Sequence, residues 1–264
     1  MEKEKFLSSV YLIIRNEKTE NLFMNKQDYY NKYRPNYDKE IINILKEKYG
    51  LNSESVIADY GAGTGKFTDL VIHYINKLYF VEPNKDMINF AIENIKSSKI
   101  VFLNEKAEET SIPEKLVDFA FAVHSFHYFE KDKFKIELEK TLKKDGYFCI
   151  IWYDYLDENN PLQVEWQELM YQKKGFSDNH NKKNDRTNIY INGLYEEHNF
   201  AIKKYFTFEE LLGLGLSVSS TPLPNQAEEY AIFETKVKDI FNKYQKNNKV
   251  EFNLKCNMQI GKIK

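Results

Sequence analysis

Short apolar runs alternate along this chain with longer stretches in which apolar residues recur every three or four positions. Val56–Tyr60 is the first run, apolar but for Asp59, and it predicts a buried strand. Phe67, Leu70, Val71 and Tyr74 then fall at helical spacing. The alternation continues with a strand over Leu78–Glu82, a helix over Asn84–Ile95, strands over Ile100–Leu103 and Val117–Val123, and a helix over Lys131–Leu142. Asp145-Gly146 is expected to turn the chain into a fifth strand, YFCIIWY. Strands separated by helical patterns of this length predict a mostly parallel, doubly wound α/β sheet with helices on both faces.

Upstream, Leu7, Val10, Tyr11 and Ile14 share a helical face, and Asp38 is placed to cap a helix carrying Ile41, Ile44 and Leu45 that stops at Gly50. Beyond Asp154 the pattern weakens. The stretch KKGFSDNHNKKNDRTN reads as a mobile surface loop. Tyr230, Phe233, Val237, Ile240 and Tyr244 mark a long amphipathic helix. Val250, Phe252, Leu254, Cys256 and Met258 then alternate strictly with polar residues, which predicts a strand with one covered face, and FAIKKYF is a plausible partner.

The 264 residues suit one large α/β domain or a domain with an appended lid, and 42% hydrophobic content supports a substantial core. A formal charge of −2 gives no electrostatic reason to expect nucleic acid as partner. Cys149 and Cys256 lie in apolar patterns and form no C-x-x-C pair, so both read as core residues of a reducing compartment. No run reaches the ~18 apolar residues that span a bilayer, and the acidic, cleavage-site-free start does not resemble a signal peptide. A cytoplasmic location is expected.

Candidate chemistry enters with VIADYGAGTGKFT, where three glycines follow the first strand within five residues. Glycines there let the backbone turn sharply and approach a ligand, and the next helix start offers unpaired N–H groups. The P-loop pattern fails because position 60 is Tyr and Lys66 is followed by Phe67; the dinucleotide pattern fails because Lys66 stands at its third glycine. Asp59, Gly61, Gly63 and Gly65 remain. Glu82 ends the second strand, 21 residues after Gly61, where a carboxylate can accept hydrogen bonds from ribose hydroxyls. Met87 is suited to an adenine face.

VIADYGAGTGKFT, LYFVEPNKDM, KAEETSIP, VDFAFAVHSFHYFE and LKKDGYFCIIWYD, in this order, resemble the motifs of class I S-adenosylmethionine-dependent methyltransferases over roughly residues 28–155. YNKYRPNYDKEI and SFHYF resemble the narrower branch that includes trans-aconitate methyltransferase-like enzymes. The resemblance implies a Rossmann-like, seven-stranded sheet with an antiparallel C-terminal strand and a helical lid. It implies an arm over residues 1–37, a cofactor-binding core over 38–155, and substrate-side helices plus sheet-completing strands over 156–264. Carried over, Asp59, Gly61, Gly63, Thr64 and Gly65 would form the cofactor loop. Glu82 and Pro83 would meet the ribose edge, with Met87, Ala107 and Glu108 around adenine. Tyr33 and Arg34 would close over the methionine end, and His124 and Ser125 would lie near the sulfonium. Two positions depart from the pattern: Lys106 stands where an acid is frequent, and Asp38 where a proline is usual.

The implied reaction is methyl transfer from S-adenosyl-L-methionine to a small-molecule acceptor at a carboxylate, hydroxyl or nitrogen, leaving S-adenosyl-L-homocysteine. A carboxylate acceptor needs no base; for the others His127 is the first candidate and His124 the second. Their i, i+3 spacing, without an H-E-x-x-H or cysteine cluster, does not make a metal site. The first helix and the segment from Leu156 to Pro224 are expected to form the lid. Two other classes compete: a nicotinamide-dependent oxidoreductase, which predicts glycine at position 66, and a protein that binds the cofactor without turnover.

Overall fold

The computed structural model describes residues 25–171, 186 and 188–263. The expected helix over Leu7–Ile14 and most of the expected loop over 173–188 lie outside the described residues. Seven strands form one sheet: β1 (Val56–Tyr60), β2 (Lys77–Val81), β3 (Ile100–Leu103), β4 (Val117–Val123), β5 (Leu142–Asp154), β6 (Glu196–Phe206) and β7 (Val250–Gly261). Their order is β3-β2-β1-β4-β5-β7-β6. The first five are mutually parallel, and β7 runs antiparallel to both β5 and β6. This is the expected mixed α/β sheet, closed at one side by the FAIKKYF strand that the sequence pattern paired with the last one.

Helices cover both faces: α1 (Gln27–Tyr33), α2 (Glu40–Tyr49), α3 (Lys66–Val71), α4 (Lys85–Asn94), α5 (Lys131–Thr141), α6 (Pro161–Tyr171), α7 (Phe208–Leu216) and α8 (Ala227–Tyr244). Period-two side-chain alternation divides the core. Ile57 belongs to the larger apolar cluster with α2, α3 and α6–α8, whereas Val56, Ala58 and Tyr60 face the smaller cluster under α5. Cys149 and Cys256 are buried, unpaired thiols of the larger cluster. Burial pushes the Cys256 thiol up to about 12.

Several element ends differ from expectation for local reasons. Lys39, not Asp38, occupies the N-cap of α2, although the Asp38 carboxylate still accepts from the Glu40 amide at 2.9 Å. Gly50 stops that helix in the left-handed conformation. Asp145-Gly146 does not begin β5 but lies inside it, where the register to β4 jumps from Val117↔Leu142 to Phe119↔Tyr147. A side chain at Gly146 would crowd the Val117 and Lys143 carbonyls, so the irregularity needs that glycine. Of the segment expected as lid, Glu196–Phe206 is a strand of the sheet.

Order reverses between β1 and β4, and a doubly wound sheet binds its ligand beyond the strand ends at that point. Among the described residues no helix is long and apolar enough to cross a membrane.

Candidate functional site

β1 delivers Asp59 to the reversal point, and the chain turns through residues 61–65 into α3. Gly61, Gly63 and Gly65 all have positive φ, at 69°, 61° and 85°. Their surroundings differ. A Cβ on Gly61 would stand 2.5 Å from Ser125 Cβ, and one on Gly65 2.2 Å from Ile95 Cδ1. Around Gly63 nothing lies within 4 Å of that position. The outer glycines permit close packing, while the middle one faces open space.

Glu82, one residue past β2, is 7% exposed. Its two carboxylate oxygens accept from the amides of Gly63 and Asn84, each at 2.8 Å. The Asn104 side chain donates to the carbonyls of Glu82 and Pro83, and Asn84 caps α4 by accepting from the Met87 amide at 3.0 Å. Burial pushes the Glu82 carboxyl up to about 7 against the lowering effect of the two amides.

Asp59 is fully buried, and Thr68 Oγ1 donates to one of its oxygens at 2.9 Å. Burial pushes it up to about 7 as well, and the Glu82 charge adds to that. The other oxygen of Asp59 and the buried Thr64 hydroxyl have no hydrogen-bond partner among the described residues. Leaving a buried polar atom unpaired costs about 1–3 kcal/mol. Two such atoms beside an open Gly63 fit a loop whose partners come from a polar ligand. Met87 is buried yet outside both apolar clusters, whereas Ala107 sits in the smaller one. Glu108 accepts from the Glu130 amide at 2.8 Å, which ties its loop to the start of α5. Lys106 is exposed and pairs through its backbone with Glu109 in a tight turn.

The cover over this region is α1, which packs against α4 and more extensively against α7. Tyr30 lies within electrostatic reach of Arg34, Glu82 and Asp59, and burial is the main cause raising its phenol. The Arg34 guanidinium lies 5.0 Å from the Tyr30 ring centroid and 5.8 Å from that of Tyr155. Its Nε donates to Ser217 Oγ at 2.8 Å. Tyr33 turns the other way: its ring fills the space over Gly213, and its hydroxyl donates to Glu209 at 3.0 Å. The side chain expected to close over the cofactor packs in this structure against α7. In a helix, Tyr33 points about 60° away from the Tyr30–Arg34 side and meets α7 instead.

Beyond β4, Ser125 Oγ donates to the Tyr60 carbonyl at 2.6 Å, which locks the two central strand ends together. His124 adopts φ 55°, unusual for a residue with a side chain. Its Nε2 accepts from the Tyr153 amide at 2.8 Å. Its ring stacks on Tyr153 at 5.6 Å, and Tyr37 lies parallel to Tyr153 at 5.4 Å. Burial, with Arg34 next, holds the imidazole well below its ordinary value. Nε2 of His124, the second candidate base, is thus engaged by a backbone amide. His127 lies exposed on the turn Phe126–Tyr128, its ring 4.0 Å from that of Tyr128.

Tyr30, Tyr37 and Asn84 escaped the sequence reading. Lys26, Tyr30 and Arg34 recur every four residues, a helical stripe that would have found the first. An Asn directly before an amphipathic run is a cap signal that would have found Asn84.

Residues 58–150 match a family model described as a methyltransferase domain. A probable S-adenosylmethionine-dependent methyltransferase of Saccharomyces cerevisiae is 26% identical over 157 residues, covering 56% of this chain and 52% of that protein. The chain spans about half the length of the curated relatives it matches, at 52% and 55% for the first two. Among solved structures, a candidate type II methyltransferase from Anaeromyxobacter dehalogenans superposes with a TM-score of 0.62 at 17% identity, covering 87% of this chain and 98% of the other. Haemonchus contortus phosphoethanolamine N-methyltransferase 2, solved with phosphomonomethylethanolamine and S-adenosylhomocysteine, gives 0.50 at 16% identity, covering 94% and 58%. The fold is the Rossmann-like fold of class I methyltransferases. Residues 58–150 are thus similar to a methyltransferase domain, and the yeast relative matched is named as S-adenosylmethionine-dependent.

Proposed function

We propose that this chain transfers a methyl group from S-adenosylmethionine to a small-molecule acceptor. The observation that carries the reading is the pair of unpartnered buried atoms, Asp59 Oδ1 and Thr64 Oγ1, beside the open Gly63 and the amide-held Glu82. When bound, S-adenosylmethionine supplies an activated methyl group on a sulfonium. The protein's work is then alignment and exclusion of water.

In this reading Gly61, Gly63, Thr64 and Gly65 admit the cofactor, and Asp59 shapes their turn. Glu82 accepts from the ribose hydroxyls, because each of its oxygens keeps a lone pair beyond its amide bond. Pro83, Met87, Ala107 and Glu108 border the adenine. Arg34 serves the methionine carboxylate, with Ser125 and His124 beside the methyl group. Tyr30 joins this set, and Tyr33 leaves it to anchor α1. The Y-R-P element and SFHYF support the narrower trans-aconitate-like branch, hence a carboxylate acceptor that needs no base. His127 is the remaining candidate base if the acceptor is a hydroxyl or nitrogen.

Thermal-shift titration with S-adenosylmethionine, S-adenosylhomocysteine and NAD tests binding. Ligand at 100 times its Kd adds about 2.7 kcal/mol of stability, a shift of several degrees. The first two ligands are expected to stabilise and NAD to leave the melting point unchanged. Radiolabelled methyl transfer to a panel of small carboxylic acids, phenols and amines then tests turnover. A shift with NAD alone would overturn the reading; binding without transfer to any acceptor would reduce it to a binding protein.

A further inference from the structure

His124 is the first residue past β4, at the strand-order reversal, and is held in three ways. Its backbone N–H donates to the Ile151 carbonyl at 2.8 Å, its ring stacks on Tyr153, and its Nε2 accepts from the Tyr153 amide. A backbone amide only donates, so Nε2 is unprotonated and the ring's single proton resides on Nδ1. Nδ1 has no protein partner among the described residues, and the side chain is partly exposed. Burial opposes a second proton on the ring, and the charge of Arg34, then of His127 where it is protonated and of Arg186, adds to that. The backbone holds φ 55°, a conformation a histidine pays for and that persists only where the surroundings enforce it. Backbone anchor, ring stack and tautomer therefore converge on one outcome: a held N–H group with no acceptor among the described residues.

We propose that His124 is a fixed-tautomer hydrogen-bond donor whose Nδ1–H positions a lone-pair-bearing oxygen or nitrogen of the methyl acceptor. The role rests on the methyltransferase reading above and replaces that of a base. It predicts an acceptor that presents a hydrogen-bond-accepting atom next to its reacting atom, or at that atom. No proton changes hands at this residue.

Two variants separate the two ring nitrogens. His124→Asn keeps a donor at the Nδ1 position, tolerates positive φ, and leaves the Tyr153 amide unanswered. His124→Gln offers an oxygen where Nε2 stood, satisfies that amide, and removes the Nδ1 donor. With the acceptor found in the panel, His124→Asn is expected to hold kcat/KM within about threefold of the parent and to melt earlier. His124→Gln is expected to melt near the parent and to lose at least about tenfold, the worth of one good hydrogen bond. Equal loss in both variants would restore the base, and full activity in His124→Gln with loss in His124→Asn would leave only a structural role. Either result overturns the proposal.

A second readout needs no acceptor. Ring-nitrogen NMR of the protein saturated with S-adenosylhomocysteine, with the signal assigned by its loss in His124→Asn, is expected to show a protonated Nδ1 and bare Nε2 unchanged from about pH 5.5 to 8.5. Titration within that range, or a proton on Nε2, would overturn the proposal even where the cofactor binds. Absence of any cofactor-induced melting shift would instead count against the methyltransferase reading itself.

Discussion

Two carboxylic acids at the strand ends, Asp59 and Glu82, are both pushed by burial to about 7. In the unfolded chain they ionise near 3.8 and 4.5. Raised folded values mean that the folded state holds these protons more tightly. Their stabilising contribution is complete below about pH 4 and is lost as pH rises through about 7. Ligand-free protein is therefore expected to lose more melting temperature between pH 5 and pH 8 than an Asp59→Asn, Glu82→Gln double variant. Cofactor binding has the opposite sign. Ribose hydroxyls and a cationic sulfonium favour the ionised acids, so the Kd for S-adenosylmethionine is expected to tighten across the same interval. Calorimetry at both pH values checks this, and a pH-independent Kd would separate these acids from the cofactor. Glu82→Gln at pH 8 is expected to weaken binding at least about tenfold, since its amide N–H₂ opposes an amide donor it must accept from. The place of the acid at position 82 was legible because it closes the apolar run of β2. The unpartnered oxygen on Asp59 was not, because hydrogen-bond satisfaction is a property of the folded surroundings.

The turn from β1 to α3 shows what element-scale patterns reveal and what they conceal. Val56–Tyr60, Ile100–Leu103 and Val117–Val123 form over the residues that their apolar runs marked. Buried parallel strands have sharp polar boundaries, so their ends are written in composition. The irregularity in β5 is not, because Asp145-Gly146 looks the same as a turn until β4 fixes the register. Three glycines likewise look alike in sequence and differ in the structure. Gly65→Ala would drive a methyl group into Ile95 on top of the strain of φ 85°, whereas Gly63→Ala carries the strain alone, about 1–2 kcal/mol. Gly65→Ala is expected to melt several degrees below Gly63→Ala in the absence of ligand. Gly63→Ala is expected to stay folded and lose most of its cofactor-induced shift, because its methyl group enters the open space. A normal shift in Gly63→Ala would place the cofactor elsewhere.

At the scale of the whole molecule, the site's cover is joined to a part of the chain nearly two hundred residues away. Lys26 is 4% exposed, and its ammonium donates to the Val218 and Thr221 carbonyls at 2.6 Å each and to Thr221 Oγ1 at 3.1 Å. Burial, with Arg34 second, lowers it to about 8, so it remains charged at pH 7. Arg34 meets the adjoining Ser217, and Tyr33 seats on Gly213. Lys26 and Arg34 thus hold the turn that follows α7, Arg34 at its C-cap Ser217 and Lys26 at the Val218 and Thr221 carbonyls. Helical spacing made the stripe readable, but its partners follow from sheet topology: β6 returns the chain to the edge of the sheet, and α7 begins two residues later. Lys26→Met fills similar volume and removes the ammonium from the Thr221 carbonyl, while the Val218 carbonyl keeps the Thr221 N–H and hydroxyl, which is expected to lower stability by about 1–3 kcal/mol. If α1 and α7 move as one cover, that loosening should appear in exchange kinetics more than in affinity. Stopped-flow displacement is expected to show S-adenosylhomocysteine leaving Lys26→Met several times faster than the parent, with entry faster by a similar factor. Unchanged rates despite a lower melting point would mean that α1 stabilises the fold without gating its site.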